Sequence, residues 1–243
     1  PHIGLQTFTW MLDGEILHRD SLGYSQVITQ GQVNLMTAGK GIAHSEDSVR
    51  NGESLHMAQL WIALPEEHRY CEPAFRNYPD LPSMEKGGFE VTLLVGSAFG
   101  KTSLVKVYSP LIALNFRTES TAILNVPLQK SFEHAIAALD GDIYIDGEKF
   151  SPGYLHYMAP GSEGFELRAD DKAQIMLIGG EPFQENIMMW WNFVGRTQEE
   201  IEAAVQEWNN GKQEHFSFGP VKNNDDLPME APTTEGRRLK TRK

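Results

Sequence analysis

Cysteine is nearly missing: Cys71 stands alone in 243 residues, so no internal disulfide can form and a disulfide-stapled secreted fold is excluded. No apolar run approaches the roughly eighteen residues that a membrane helix needs. Basic residues are the scarcer charge, with 21 Lys and Arg against 33 Asp and Glu and a formal net charge of -12. A phosphate-binding surface wants the opposite balance, so no direct nucleic-acid contact is expected. Docking to a basic protein partner stays compatible with this charge. The chain opens Pro1-His2 without an initiator methionine or a basic and apolar leader. The expectation is a cytoplasmic protein whose gene product can continue upstream.

Short β-prone runs separated by glycine turns dominate what is there. Thr7 to Leu12 reads as a strand with Phe8, Trp10 and Leu12 on one parity, and Asp13-Gly14 turns it back into a second strand, with Ile16 and His18 on one face. Ser25 to Thr29, Gln32 to Met36 and Met57 to Leu64 continue the pattern. Residues 66 to 88 form a polar, proline-dotted link, either an inter-domain crossing or a lid. Phe89 to Val95, Ser103 to Tyr108, Leu111 to Phe116 and Ala173 to Ile178 read as further strands. Strands of this length belong to barrels or jelly rolls rather than to a βαβ fold. Leu139-Asp-Gly-Asp142 echoes Leu12-Asp-Gly-Glu15, which points to an internal duplication. At equivalent spacings the first copy has His2, His44 and Glu46, where the second has Gln129, Glu166 and Arg168.

After Gly180 the pattern changes. Met188 to Phe193 is heavily apolar and is expected to pack between elements. Thr197-Gln-Glu-Glu200 is a capping box, and Ile201, Ala204, Val205 and Trp208 share one face of a helix over 197–209. The tail ends in a basic run, Arg237 to Lys243, expected to lie extended on the surface.

The candidate chemistry sits near the front. His44 and Glu46 are two positions apart, on one face of an extended segment, and His2 is a few turn-linked strands away. Two imidazoles and a carboxylate can seat Fe, Mn, Ni, Zn or Cu and leave a position open for substrate. The residues alone equally allow a packing histidine and a solvated carboxylate. His18 is either a residue hydrogen-bonded to a ligand or substrate, or a buried strand histidine. Cys71, among acidic neighbours, reads as structural.

Four stretches carry a resemblance: Pro1-His2-x-Gly4-x-x-Thr7, Leu12-Asp-Gly-Glu15, His18-x-Asp20-Ser21-x-Gly23 and Met36-Thr-Ala-Gly-x-Gly-Ile-x-His44-x-Glu46. In these the chain resembles the pirin family of the cupin superfamily, most strongly over the first 64 residues and more weakly to about residue 220. The resemblance implies an all-β bicupin, two cupin-type jelly-roll barrels with a short C-terminal helix. Its divisions would be 1–85, a metal-binding barrel lacking upstream strands; 86–180, a metal-free barrel; and 181–243, a segment packing back on the barrels. It implies Fe(II) held by His2, His44 and Glu46, with one more histidine immediately before Pro1. Gln6, where the family usually has glutamate, and His18 would contact substrate or a ligand, and Phe8, Trp10 and Met11 would line the entrance. The implied activity is a quercetin-type flavonol 2,3-dioxygenase that opens a small planar aromatic substrate with dioxygen, with Glu46 as base. The other reading is a metal-dependent regulatory module, a transcriptional or metabolic co-regulator binding a protein partner without turnover. In either case a monomer is expected.

Overall fold

The computed structural model describes residues 1–50 and 52–241. Its chain divides into two compact units, Pro1–Pro79 with Phe183–Lys243, and Asp80–Pro182. Among the described residues its regular structure is almost entirely strand, with one α-helix near the C-terminus.

The first unit contains β1 (Leu5–Asp13), β2 (Ile16–Asp20), β3 (Ser25–Ile28), β4 (Val33–Thr37), β5 (His44–Ser48), β6 (His56–Ala63) and β7 (Ala74–Tyr78). They form two sheets, β6-β1-β4-β7 and β3-β2-β5, with antiparallel pairing throughout. β1 is buried on both faces as far as Leu12, which explains its apolar run broken only by Gln6, Thr7 and Thr9. Side chains alternate across a strand, so Thr7, Thr9 and Met11 face one way and Gln6, Phe8 and Trp10 the other. Met11, Ile16 and Ile28 pack together with Met57 as an apolar floor.

In the second unit, the strands Phe89–Val95, Leu111–Thr118, Ala173–Gly180 and Glu133–Asp140 are successive neighbours in a six-stranded sheet. Ala122–Pro127, Gly164–Ala169, Ile143–Ile145 and Glu148–Phe150 make a four-stranded one. The core is phenylalanine and branched aliphatics, among them Phe89, Phe116, Leu114, Leu167 and Leu177. The two turns that echo each other in sequence share their geometry. β1 slips register between Met11 and Asp13, and Glu133–Asp140 slips between Ala138 and Asp140. Gly14 and Gly141 follow at φ 84 and 74, where a side chain would be strained.

One sequence expectation needs correction. Ser103 to Tyr108 forms no strand, because Ser103 Oγ satisfies the Leu94 carbonyl and the Val105 N–H locally. The 66–88 link carries strands of its own, β7 paired with β4 and Ser83–Lys86 with Phe89–Val95, and the change from the first unit to the second, after Pro79, falls inside it.

Helix α1 (Gln198–Asn210) begins at Thr197, whose side chain accepts the Glu200 N–H, and ends at Gly211 in the left-handed region, φ 65. Glu200 reaches back one residue further than a capping box would, accepting the Arg196 N–H at 2.8 Å. Its other oxygen meets Arg69 and the Tyr70 hydroxyl. The tail is docked in part, since Gln198 bonds the Arg237 carbonyl and the Leu239 N–H. Arg242 and Lys243, the end of the basic run, lie outside the described residues.

Candidate metal centre

Three backbone arrangements assemble the site. First, His2 and Ile42 bridge antiparallel, with the His2 N–H on the Ile42 carbonyl at 2.8 Å and the reverse bond at 3.1 Å. That places the first residues of the chain beside the entry to β5. Second, the glycines of the Met36 to Glu46 motif redirect the chain between the two sheets. Gly39 has φ 51, and a Cβ there would overlap the Cys71 carbonyl oxygen. Third, β2 and β5 pair with His18 opposite Glu46 and Asp20 opposite His44, so all four side chains share one face.

One potential ligand atom each from His18, His44 and Glu46 lies within 4.8 Å of the others. His2 meets this group at His44, their Nε2 atoms 3.0 Å apart. The cluster is thus two imidazoles and one carboxylate, with a third imidazole against His44. The hydrogen bonds assign tautomers. His2 Nδ1 must donate to the Asn192 carbonyl at 3.0 Å, which leaves the lone pair on the Nε2 that faces His44. His18 Nε2 lies 3.1 Å from Asp20 Oδ2, so donation there leaves the lone pair on Nδ1. Asp20 is itself fixed, because its Oδ1 accepts the N–H groups of Leu22, Gly23 and Tyr24. The His18 ring stacks on Phe75 with centroids 4.2 Å apart, and Trp61 meets His2 edge-on.

Burial pushes the His2 imidazole down to about 3, and it holds His44 well below the usual range with help from the adjacent His2 and His18. Both rings are neutral at ordinary pH, the form that binds a cation. Burial raises the Glu46 carboxyl, opposed by the Gln59 amide and by His18. Gln59 Nε2 donates to Glu46 Oε2 at 2.8 Å and to Thr9 Oγ1 at 3.1 Å.

The residues fit a metal by a direct test. His2 Nε2, left with its lone pair by the Asn192 bond, faces His44 Nε2 at 3.0 Å with no other partner between them. Two neutral imidazole nitrogens so placed can both donate to one cation. Nitrogen and carboxylate donors together suit a borderline divalent ion.

Not every residue singled out in the sequence is here. Gln6, Phe8 and Trp10 lie on the β1 face opposite Thr9, and Gln6 donates to Thr37 Oγ1. They line neither the site nor its entrance, because parity along β1 selects Thr7, Thr9 and Met11 instead. Met11 does face the site side, but as fully buried floor rather than entrance. Sequence reading missed Asp20, Gln59, Phe75 and Asn192. Asp20 stood next to His18 in the quoted motif, and its parity with His18 was the available signal. The other three come from distant strands and carried none.

A cavity of about 900 Å³ is lined by Ala43 to Asp47, His44 and Glu46 among them, and by Trp191, Phe218 and Met229. The Met188 to Phe193 run is thus not wholly packed away as its composition suggested. Among the described residues no helix is long and apolar enough to cross a membrane.

The Pirin family profile matches residues 1–62, and the Pirin C-terminal cupin domain matches residues 113–214. A Pseudomonas aeruginosa protein named "Putative quercetin 2,3-dioxygenase" is 47% identical over 211 residues, covering 87% of this chain and 67% of that one. Human Pirin is 30% identical, covering 87% of this chain and 76% of its own. The crystal structure of a quercetin 2,3-dioxygenase from Acinetobacter baumannii superposes with a TM-score of 0.92 at 40% identity, covering 98% of this chain and 79% of that one. With both family domains matched in order on a nearly all-β chain, this protein belongs to the pirin family of cupin proteins.

Proposed function

We propose that the protein is a metal-dependent dioxygenase of the quercetin 2,3-dioxygenase type, with His2, His44 and Glu46 holding Fe(II) and His18 beside them. The carrying observation is the cavity of about 900 Å³ that opens on His44 and Glu46. A planar three-ring substrate fits within it, since ligand pockets commonly span roughly 300–1,000 Å³. A module that only changes shape with its metal needs no such access. The names of the Pseudomonas and Acinetobacter relatives support the same substrate class. His2, His44 and Glu46 would offer two imidazole nitrogens and a carboxylate, a donor set that suits a borderline divalent ion such as iron.

The bound ion would supply polarisation of a substrate hydroxyl and redox access to dioxygen. The protein's own groups do the rest. Asn192 and Asp20 fix the His2 and His18 rings, so that their lone pairs stay on His2 Nε2 and His18 Nδ1. Gln59 holds Glu46 Oε2, which leaves Oε1 to meet the cation or to take the hydroxyl proton. Trp191, Phe218 and Met229 in the lining of the same cavity would exclude water from a seated ring system.

The test is anaerobic purification with elemental analysis, then oxygen uptake across a small panel of flavonols. Iron-dependent uptake, abolished by His44→Ala, is the expected result. Bound iron with no uptake across the panel would instead favour the regulatory binding module, and protein that takes up no metal would end both readings.

A further inference from the structure

The strands Met188–Trp190 and Phe193–Gly195 pair with Trp190 opposite Phe193, which leaves Trp191 and Asn192 as a two-residue connection. Trp191 has φ 50. Such connections call for glycine or asparagine where φ is positive, and a bulky residue there is a true outlier. A strained position of this kind persists where the surroundings hold it, and it is a pointer to function.

The other members of the hairpin are tied down by polar contacts or full burial. Trp190 donates its indole N–H to the Pro232 carbonyl and lies beneath the Arg237 guanidinium. Phe193 is fully buried, and its neighbour Asn192 supplies the carbonyl that fixes His2. Trp191 is half-buried, edge-on to Phe193 at 5.5 Å, and lines the cavity on which His44 and Glu46 open. The strain therefore presents a large flat ring beside the candidate metal ligands. Apart from the proposed metal ligand Glu46, the charged lining of the same cavity is mostly acidic: Asp47, Glu207, Asp226 and Glu230 stand against Lys212. An anionic ligand meets repulsion there.

We propose that Trp191 is the specificity-determining wall of the cavity, stacking a planar, uncharged aromatic substrate. The proposal rests on the flavonol reading of this site, and the experiment separates the two. Quercetin and quercetin-5′-sulfonate are titrated calorimetrically, without oxygen, into the full metal-loaded chain and into Trp191→Gly and Trp191→Phe. Glycine relieves the positive φ but gives up the packing on Phe193, so Trp191→Gly should keep its metal while melting a few degrees below the parent. Its affinity for quercetin should fall about 10-fold or more, Trp191→Phe should recover most of it, and the sulfonate should bind the parent much more weakly than quercetin. Equal quercetin affinity in the parent and Trp191→Gly overturns the proposal and leaves the flavonol reading standing. Loss of metal in Trp191→Gly also overturns it, since the turn would then only brace His2. Failure of the parent to bind quercetin at all removes both.

Discussion

His2, buried, and His44, half-buried, are separated by 42 positions and face each other through Nε2 atoms 3.0 Å apart. Two neutral imidazoles in that pose can share a proton or a cation, and a cation would accept both lone pairs at once. Binding to the folded state alone adds about 2.7 kcal/mol at a free ion concentration 100-fold above Kd. For a chain of this size that should raise Tm by about 5–10 °C. Differential scanning calorimetry with added Fe(II) should show the rise, a chelator should reverse it, and His44→Ala should lack it.

Asp20→Asn tests the role of His18. Asparagine keeps an oxygen for the N–H groups of Leu22, Gly23 and Tyr24, so the fold should survive with a loss of about 1–2 kcal/mol. Its amide would present N–H to His18 Nε2 and move the ring proton to Nδ1. Metal affinity, read by competition with a chromophoric chelator, should drop about 10-fold or more. Unchanged affinity would show that the His18 tautomer gives the metal ligands no support.

Much of this was legible in the sequence because β periodicity and glycine turns act locally. Phe89–Val95 occupies the span its pattern marks, and His44 and Glu46 share a face because they are two apart on a strand. The convergence of His2 on His44 was not local: it depends on the bridge from His2 to Ile42, which no spacing encodes. The entrance residues were misjudged for a related reason. Parity along β1 sorts Phe8 and Trp10 from Thr9, but which face meets the site is decided by the pairing of Thr9 with Gln59 on β6. Trp191 was hidden in an apolar run that composition can only assign to packing.

Glu207 gives the clearest pH dependence. It is buried at the end of α1, where desolvation pushes its carboxyl up. The N–H groups of Phe216, His215 and Glu214 and the His215 ring outweigh that and hold it below the ordinary range. A depressed folded pKa contributes stability above the unfolded value of about 4.3, and the contribution is lost as pH falls through the folded pKa. Glu207→Gln should cost about 1–3 kcal/mol at about pH 7, and the difference from the parent should shrink towards about pH 3, as read from urea midpoints. A gap that stays constant across this range would show that the carboxylate charge contributes nothing.

Gln59 separates positioning from folding. Its side chain is exposed at the edge strand β6, yet its amide bridges Glu46 and Thr9. Gln59→Leu removes a partner from an accessible site, so stability should change by no more than about 1 kcal/mol. Glu46 should respond more, because losing the amide leaves burial less opposed and raises its carboxyl further. A carboxylate that is harder to ionise is a weaker ligand and starts protonated when it should accept a proton. Oxygen uptake with quercetin should therefore fall about 10–100-fold while the melting temperature holds, and Gln59→Asn, too short to span both partners, should behave like leucine. Full activity in both variants would show that Glu46 needs no outside support and takes its orientation from the β2–β5 register alone.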